Sequence, residues 1–550
     1  MESVQAVSIS DRGTTKGGFV AQQYSTMTTS RESFLKRARE ASKLTIPTLI
    51  PESGHTYTSD YPTPYQSIGA RGVNNLASKM LMALLPPNSP FFRLIIDDFD
   101  LANLIGEDKR GPVEEGLAKI ERAALHEIEA EAMRVPIYEA LKHLIVGGNA
   151  LLHLPNKGVM RVFHLDSYTV KRDVQGNILK IIVKETLSAK TLPVELQKYV
   201  DTSAEDTYRT YDLFTCIKRE EKKYEIFQEI QGNRIEESSG QYPLDQLPWI
   251  PLRFNRIDNE DYGRGFVEEY IGDLKSVEGL SQAIVEGSAA AAKVLFLVKP
   301  NGTTKLRTLA ESPNGAIVAG DANDVSTLQL QKSTDFRVAN EMLQYLTNRL
   351  QFAFLMNSSV ERQAERVTAE EIRYKAQELE MALGGVYSVL SQELQVPLVK
   401  LLLARLTKQG KMPKFPKNTV KPEIVTGVEA LGRGQDLNKL ATFLQYLQPL
   451  GQQIIAQEMN IGDYIDRLGA SLGIDTSGLI KTSEEKQMEK QMIEQQRQQM
   501  MQQQMMQDVV KGSAPPLAKT IAQDVAGNPE MLEQMQQQLQ QLQQTQNQNA

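Results

Sequence analysis

Apolar positions recur every three or four residues at the two ends of this chain and every second residue in between. That change of period predicts helices, then a β-rich block, then helices again. Helical spacing covers 31–43 and resumes at Gln66 in QSIGARGVNNLASKMLMALLPP, bracketed by the rigid turns of Pro62, Pro64, Pro86, Pro87 and Pro90. It covers 113–133 and 136–148, ending on Gly147 and Gly148. From Ala150 to Arg256 the alternation predicts strands at ALLHL, RVFHL, YTVKRD, ILKIIVKE, YRTYDLFTCIKR, KYEIFQEI and WIPLRF, with turn pairs at Gly176-Asn177 and Gly232-Asn233.

After Tyr262, Val267, Ile271, Leu274, Val277, Leu280, Ile284, Ser288 and Ala291 restore the helical rhythm as far as Lys293. Short extended pieces follow at Val294–Val298, Gly315–Val318 and Val325–Leu330, separated by turns at Asn301-Gly302 and Ser312-Pro313-Asn314-Gly315. A second helix starts at Asp335 and carries Phe336, Ala339, Leu343, Leu346, Leu350 and Phe354 on one stripe. The polar segment NSSVERQAERV, 357–367, then leads into the longest stretch, 368–406, which reads as one helix. Thr368 and Glu371 form a capping box there, Ile372, Ala376, Leu379, Leu383, Val386, Leu390 and Leu394 make its stripe, and Pro397 should bend it. The segregation of helical and strand blocks makes the fold class α+β, mainly helical.

Composition sharpens this picture. A chain of 550 residues, 41% hydrophobic, exceeds one ordinary core and is expected to fold as several subdomains. A single cysteine, Cys216, excludes an intrachain disulfide and fits a reducing compartment. The longest apolar candidate, AAAAKVLFLVKP from Ala289, is broken by Lys293 and falls short of the roughly 18 residues a membrane helix needs, so no membrane anchor is expected. The first residues, rich in Ser, Thr and Gly, read as a flexible arm, 1–30. The last 70 residues hold 21 Gln and 8 Met, and Thr482 with Glu485 opens a possible helix. Gln and Met favour helix but supply no broad apolar stripe, so this tail reads either as a helix that bundles with other copies or as a flexible low-complexity tail.

Catalytic chemistry is missing from these patterns. His126-Glu127 starts like a zinc motif, but Ala130 stands where the second histidine would be. His55, His143, His153 and His164 fall on separate elements, so no metal site or other cofactor is expected. No phosphate-binding Gly-Lys loop occurs, and Gly432-Arg433-Gly434 lacks a third glycine. Acid pairs such as Asp97-Asp98, Glu268-Glu269 and Glu370-Glu371 are what 68 acidic residues give by chance. An enzyme is therefore not expected.

Five stretches, DYPTPYQSIGARGVNNLASKMLMALLP, EALKHLIVGGNALLHLP, GRGFVEEYIGDLKSVEGLSQAIVEGSAAAAKVLFLVKP, RVTAEEIRYKAQELEMALGGVYSVLSQELQVPLVKLLL and TGVEALGRGQDLNKL, closely resemble the portal, or head-to-tail connector, proteins of short-tailed bacteriophages (podoviruses). The resemblance runs in order from about Ser30 to Lys481. It implies a closed homo-oligomeric ring, usually of twelve copies, at one capsid vertex of the virion, assembled in the host cytoplasm, through which double-stranded DNA is packaged and ejected. It further implies a wing at 31–261, stem helices at 262–293 and 334–356, a clip at 294–333, a tunnel loop at 357–367, a long wing helix at 368–406, a crown at 407–480, and a tail or barrel helix at 481–550. Terminase and tail-adaptor or tail-tube proteins would dock on the clip rim, and major capsid and scaffolding proteins would be neighbours.

The formal net charge of −7 fits that placement, because tight phosphate contacts would slow DNA passing through a channel. Under the resemblance Asn357, Ser358, Ser359, Arg362, Gln363 and Arg366 face DNA, with Arg362 and Arg366 on phosphates. The alternative is that both arginines pair with Glu361, Glu365 or acids of the next subunit. Lys275, Lys293 and Arg349 against Glu278, Glu286 and Glu341 would supply pairs between subunits, since a ring needs two different complementary faces. The competing functions are a nucleic-acid-processing accessory subunit and a capsid scaffolding protein.

Overall fold

The computed structural model describes residues 18–55, 59–87, 90–95, 110–156, 158–200, 210–291, 295–328, 333–356, 381–412, 423–426, 433–450, 459, 461–472, 488–489 and 491–501. It divides into two units, 1–473 and 474–550.

The core of the first unit is built around two helices rich in small and branched apolar residues, α2 (Ile68–Leu84) and α4 (Arg134–Gly147). Val73, Leu76, Ala77, Met80 and Leu84 of α2, and Ile137, Leu141, Leu144 and Ile145 of α4, are buried in one cluster. Helix α4 stops at Gly148, whose φ of 74° closes a left-handed cap with its N–H on Leu144 O at 2.8 Å. A side chain there would be strained, and its Cβ would also lie 2.4 Å from the Arg264 backbone. The preceding helix α3 (Arg110–Ala130) packs beside the chain's later helices, and the short strand β1 (Phe92–Ile95) lies before it.

From Gly148 the chain enters β2 (Asn149–His153), the centre of a three-stranded antiparallel sheet with β3 (Arg161–Phe163) and β9 (Trp249–Arg253). Between these runs a five-stranded antiparallel meander in sequential order: β4 (Tyr168–Arg172), β5 (Ile178–Ser188), β6 (Thr210–Arg219), β7 (Lys223–Ile230) and β8 (Asn233–Pro243). A short helix, α5 (Val194–Gln197), precedes β6. Strand β8 was not expected: of its residues only Ile235 is buried, so it carries no apolar alternation, and its ladder to β7 holds it as an edge.

Helix α1 (Phe19–Lys43) begins ahead of the expected Arg31, so the supposed arm is helical from Phe19 onward. Its polar sequence hides the cause. Val20 and Tyr24 bury against Phe214 and Cys216 of β6, and the Glu229 carboxylate of β7 accepts Val20 N–H at 3.1 Å and Ala21 N–H at 3.3 Å. A carboxylate from a distant strand thus satisfies the helix's first donors. Further along, the buried Arg31 guanidinium donates to the carbonyls of Leu165, Asp166 and Tyr168.

After β9 come α6 (Phe266–Glu269) and α7 (Ile271–Ala291), then an excursion formed by β10 (Leu295–Val298), α8 (Leu306–Glu311) and β11 (Val325–Leu328), then α9 (Ser333–Ala353). Strands β10 and β11 pair antiparallel from Leu295↔Leu328 to Val298↔Val325. The expected strand at Gly315–Val318 is irregular instead; Gly315 takes φ +86°, closing the Pro313 turn, and Ile317 is fully exposed. Asp324 ties the base of the excursion by accepting from the backbone N–H of Thr303 and Thr304.

The stretch expected as one helix over 368–406 is described only from Met381, and it is interrupted. Gly384 adopts φ +56°, α10 (Val386–Leu390) follows, Ser391–Gln395 forms a π-turn, and α11 (Val396–Lys408) completes it. Val396 N–H donates to Ser391 O, one residue beyond the α-helical partner. Pro397, which has no N–H to give, sits in the next position, so the expected disturbance takes the form of a widened turn. Strand β12 (Glu423–Thr426) pairs with β1, a link no pattern announced. Helices α12 (Arg433–Leu447) and α13 (Ile461–Leu472) follow. In the second unit residues 491–501 are helical and exposed along their whole length, Met492, Ile493, Met500 and Met501 included; Thr482 and Glu485 lie outside the described residues.

Candidate functional site

Helices α7 and α9 lie antiparallel. Arg349, near the end of α9, pairs with Asp273, near the start of α7, at 3.0 Å, while the Phe336 ring near the start of α9 lies over Gly287 near the end of α7. Leu274 and Val277 of α7 and Leu346 and Leu350 of α9 are buried between the pair and the core. Their other faces leave Val285, Val338, Met342, Tyr345 and Phe352 at least half exposed.

The end of α9 is the point from which the polar segment departs. Met356 N–H donates to Gln351 O at 2.8 Å and Leu355 N–H to Phe352 O at 3.1 Å, the two bonds of a left-handed C-terminal cap. The cap position is Leu355, with φ 54°, where glycine is the usual occupant. Two side chains of α2 secure it. Asn75 Nδ2 donates to Phe354 O at 3.0 Å and to Leu355 O at 3.2 Å, and Lys79 Nζ donates to Leu355 O at 2.6 Å. A cation at a helix C-terminus also offsets the negative end of the helix dipole. Phe354 itself is fully buried, with Phe266 at 5.6 Å edge-on and Tyr270 at 6.3 Å, and its ring sits directly on Gly72 of α2. Burial, followed by the charges of Glu269 and Asp273, raises the Tyr270 phenol, which therefore stays neutral.

The chain that returns after 380 rests on the other end of the same helix. Tyr387 Oη donates to Ala83 O at 3.2 Å and Gln395 Nε2 to Leu84 O at 2.6 Å, so the last carbonyls of α2 are satisfied by this segment. Glu393, in the π-turn, holds Arg253 of β9: its carboxylate accepts the Arg253 backbone N–H and Nε, each at 3.1 Å. Arg405 of α11 reaches Glu127 of α3 at 3.3 Å and Glu131, in the turn just past α3, at 3.2 Å, joined by Lys411 at 3.5 Å from Glu127. The half-formed zinc motif is thus a structural ion cluster: His126 is exposed and Glu127 buried.

Of the residues expected to face DNA, Asn357, Ser358, Ser359, Arg362, Gln363 and Arg366 all lie outside the described residues, as does Lys293. Four of the remaining residues of the suggested subunit pairs, Lys275, Glu278, Glu286 and Arg349, have partners inside the chain. Lys275 pairs with Glu40 of α1, and Arg349 with Asp273. Glu278 accepts the backbone N–H of Tyr65 and Gln66 at 2.9 and 3.2 Å, at the approach to α2, and Glu286 accepts from Gln282 at 2.9 Å. Glu341 is exposed on α9. Sequence reading missed Asn75, Lys79 and Leu355, because they act through backbone carbonyls and a backbone torsion that no residue spacing records. Among the described residues no group of histidine, cysteine or carboxylate side chains could hold a metal ion, and no helix is long and apolar enough to cross a membrane.

Comparison with known proteins covers nearly the whole first unit. The family model described as bacteriophage head to tail connecting protein matches residues 19–480. The chain is similar to the portal protein of Enterobacteria phage T3, 42% identical over 473 residues, covering 84% of this chain and 88% of that one. It is 42% identical over 474 residues to the portal protein of Escherichia phage T7, with the same coverage. Similarity to the portal protein of Enterobacteria phage SP6 is 31% over 478 residues, covering 83% and 88%.

Proposed function

Since the chain belongs to the bacteriophage head to tail connecting protein family, we propose that it is a portal subunit: copies close into a ring at one capsid vertex of the virion, and double-stranded DNA passes through the axial opening during packaging and ejection. On this reading α7 and α9 belong to the stem helices, the β10–β11 excursion is the clip, 357–367 is the tunnel loop, 368–406 is the long wing helix, and 407–480 is the crown. A DNA-translocating terminase and tail proteins dock on the clip, while 31–261 forms the wing among the capsid proteins. The 491–501 helix bundles with its copies.

One observation carries the reading beyond family membership. The α7/α9 pair keeps a row of large apolar side chains, Val285, Val338, Met342, Tyr345 and Phe352, exposed on a single chain. Contiguous apolar surface of this kind marks an interface, and a neighbouring copy presenting a different face would cover it and propagate into a ring. The acidic balance supports passage of DNA, since few phosphate contacts mean little resistance to sliding. Electron microscopy of the purified full chain, viewed along the symmetry axis, tests this. Rings with a central opening are expected; a monomer without an opening refutes it.

A further inference from the structure

We infer that α2 is the positioning element of the DNA-facing segment, with Asn75 and Lys79 fixing the point and direction from which 357–367 leaves α9. The inference rests on the portal reading and adds to it residues outside the stem and the loop.

Three observations converge on this joint. First, Leu355 holds φ 54°, a torsion that a bulky residue adopts only when its surroundings enforce it. Second, the enforcing groups are identifiable: Phe354 is plugged against Gly72, and the carbonyls of Phe354 and Leu355 are gripped by Asn75 and Lys79. A carbonyl held by an ammonium at 2.6 Å sets the orientation of the peptide plane, and with it the direction of the chain at Met356. Third, the returning chain is bound to the same helix through Ala83 O and Leu84 O. Both ends of the intervening segment therefore share one rigid base. They differ in kind, since the departing end is a strained, side-chain-locked cap and the returning end contains Gly384-Gly385 and a π-turn, the elements that absorb backbone change most readily. A displacement of α2 would carry both ends together, while slack is taken up on the returning side.

The test uses rings of the full chain bearing a spin label at Arg362→Cys; Cys216 is buried and does not compete for the label. Distances between labels across the ring report where the segment lies, a property that a purely structural role of Lys79 would not change in rings that still assemble. Lys79→Met and Asn75→Ala, each alone, are expected to broaden or shift that distribution and, in unlabelled form, to lower DNA packaging severalfold, with melting within about 2 °C of the parent. Lys79→Arg, which keeps a cation for the carbonyl, should restore both. An unchanged distribution in assembled Lys79→Met and Asn75→Ala rings overturns the inference, as does equal loss with Lys79→Arg. Failure of the unsubstituted chain to form rings would instead overturn the portal reading.

Discussion

Two glycines on two helices should respond with opposite sign to the same substitution. Gly72 lies in the middle of α2 and Gly116 in α3. Alanine in a helix interior is favoured over glycine by roughly 0.5–1 kcal/mol because the unfolded chain loses freedom. At Gly116 a Cβ meets nothing within 4 Å among the described residues, so that gain should be realised. At Gly72 the Cβ would lie 2.5 Å from Cγ and 2.6 Å from Cδ2 of Phe354. The ring is fully buried and hemmed in by Phe266 and Tyr270, and retreating would disturb a cap already tied by Asn75 and Lys79. Overpacking of this kind costs about 1–3 kcal/mol, which outweighs the helix gain and leaves Gly72→Ala destabilised by about 1–2 kcal/mol. Thermal unfolding followed through the single tryptophan, Trp249, at fixed protein concentration measures the difference. Gly72→Ala should melt below the parent and Gly116→Ala at or above it. A Gly72→Ala chain as stable as the parent would mean that Phe354 is not seated on α2, and the account of the loop's base would fail with it.

Burial, and secondarily the Arg161 guanidinium, holds the His153 imidazole down at about 4, so the unfolded chain takes up its proton first as pH falls. Stability should therefore decline between about pH 6.5 and 4, by up to about 3 kcal/mol, and His153→Phe, which keeps a ring on Trp249, should flatten the urea midpoint across that window; a parental slope in the variant contradicts this. His164, lowered by burial and then by His143, leaves a residual slope of the same sign. Burial raises the Cys216 thiol to about 11, so iodoacetamide at pH 8 should alkylate it only on unfolding, and rapid modification of the native chain by mass spectrometry would count against the packing of α1 on β6. Glu393→Ala leaves the Arg253 guanidinium, 3% exposed, without its carboxylate and should cost about 3 kcal/mol in denaturant titration, much of it recovered in Arg253→Met with Glu393→Leu.

The elements that could be read from sequence share one property: their side chains alone signal burial. Helices α2 and α4 and strands β2 to β7 carry apolar residues at an unbroken period, and they were found within a few residues of their ends. Strand β8 and the β1–β12 pair are held by backbone ladders, which leave no mark on side-chain pattern. The early start of α1 depends on Glu229, a carboxylate distant in sequence. The interruption at Gly384 was legible, because a Gly-Gly pair weakens any helix, yet the strong stripe on either side concealed it. The candidate site divides the same way. Its polar segment, which lies outside the described residues, rests on composition alone, whereas the cap at Leu355 consists of an amide, an ammonium and a backbone torsion that only the fold brings together.

The charges on the helix pair bear on how a conduit treats a polyanion. Lys275 is paired with Glu40, and Arg349 with Asp273, within one chain. A lysine or arginine already held by a carboxylate offers phosphate a smaller gain, because the existing pair must be broken first. Glu278 is likewise bound to backbone N–H groups at the approach to α2, so its carboxylate serves the joint between α7 and α2. Among the described residues the helix pair thus satisfies Lys275, Glu278 and Arg349 within the chain, while Arg337 and Glu341 of α9 remain exposed. On the proposed portal reading the 357–367 segment brings further cations to DNA, and the geometry of its base, Asn75 and Lys79 on Leu355, sets where that segment starts.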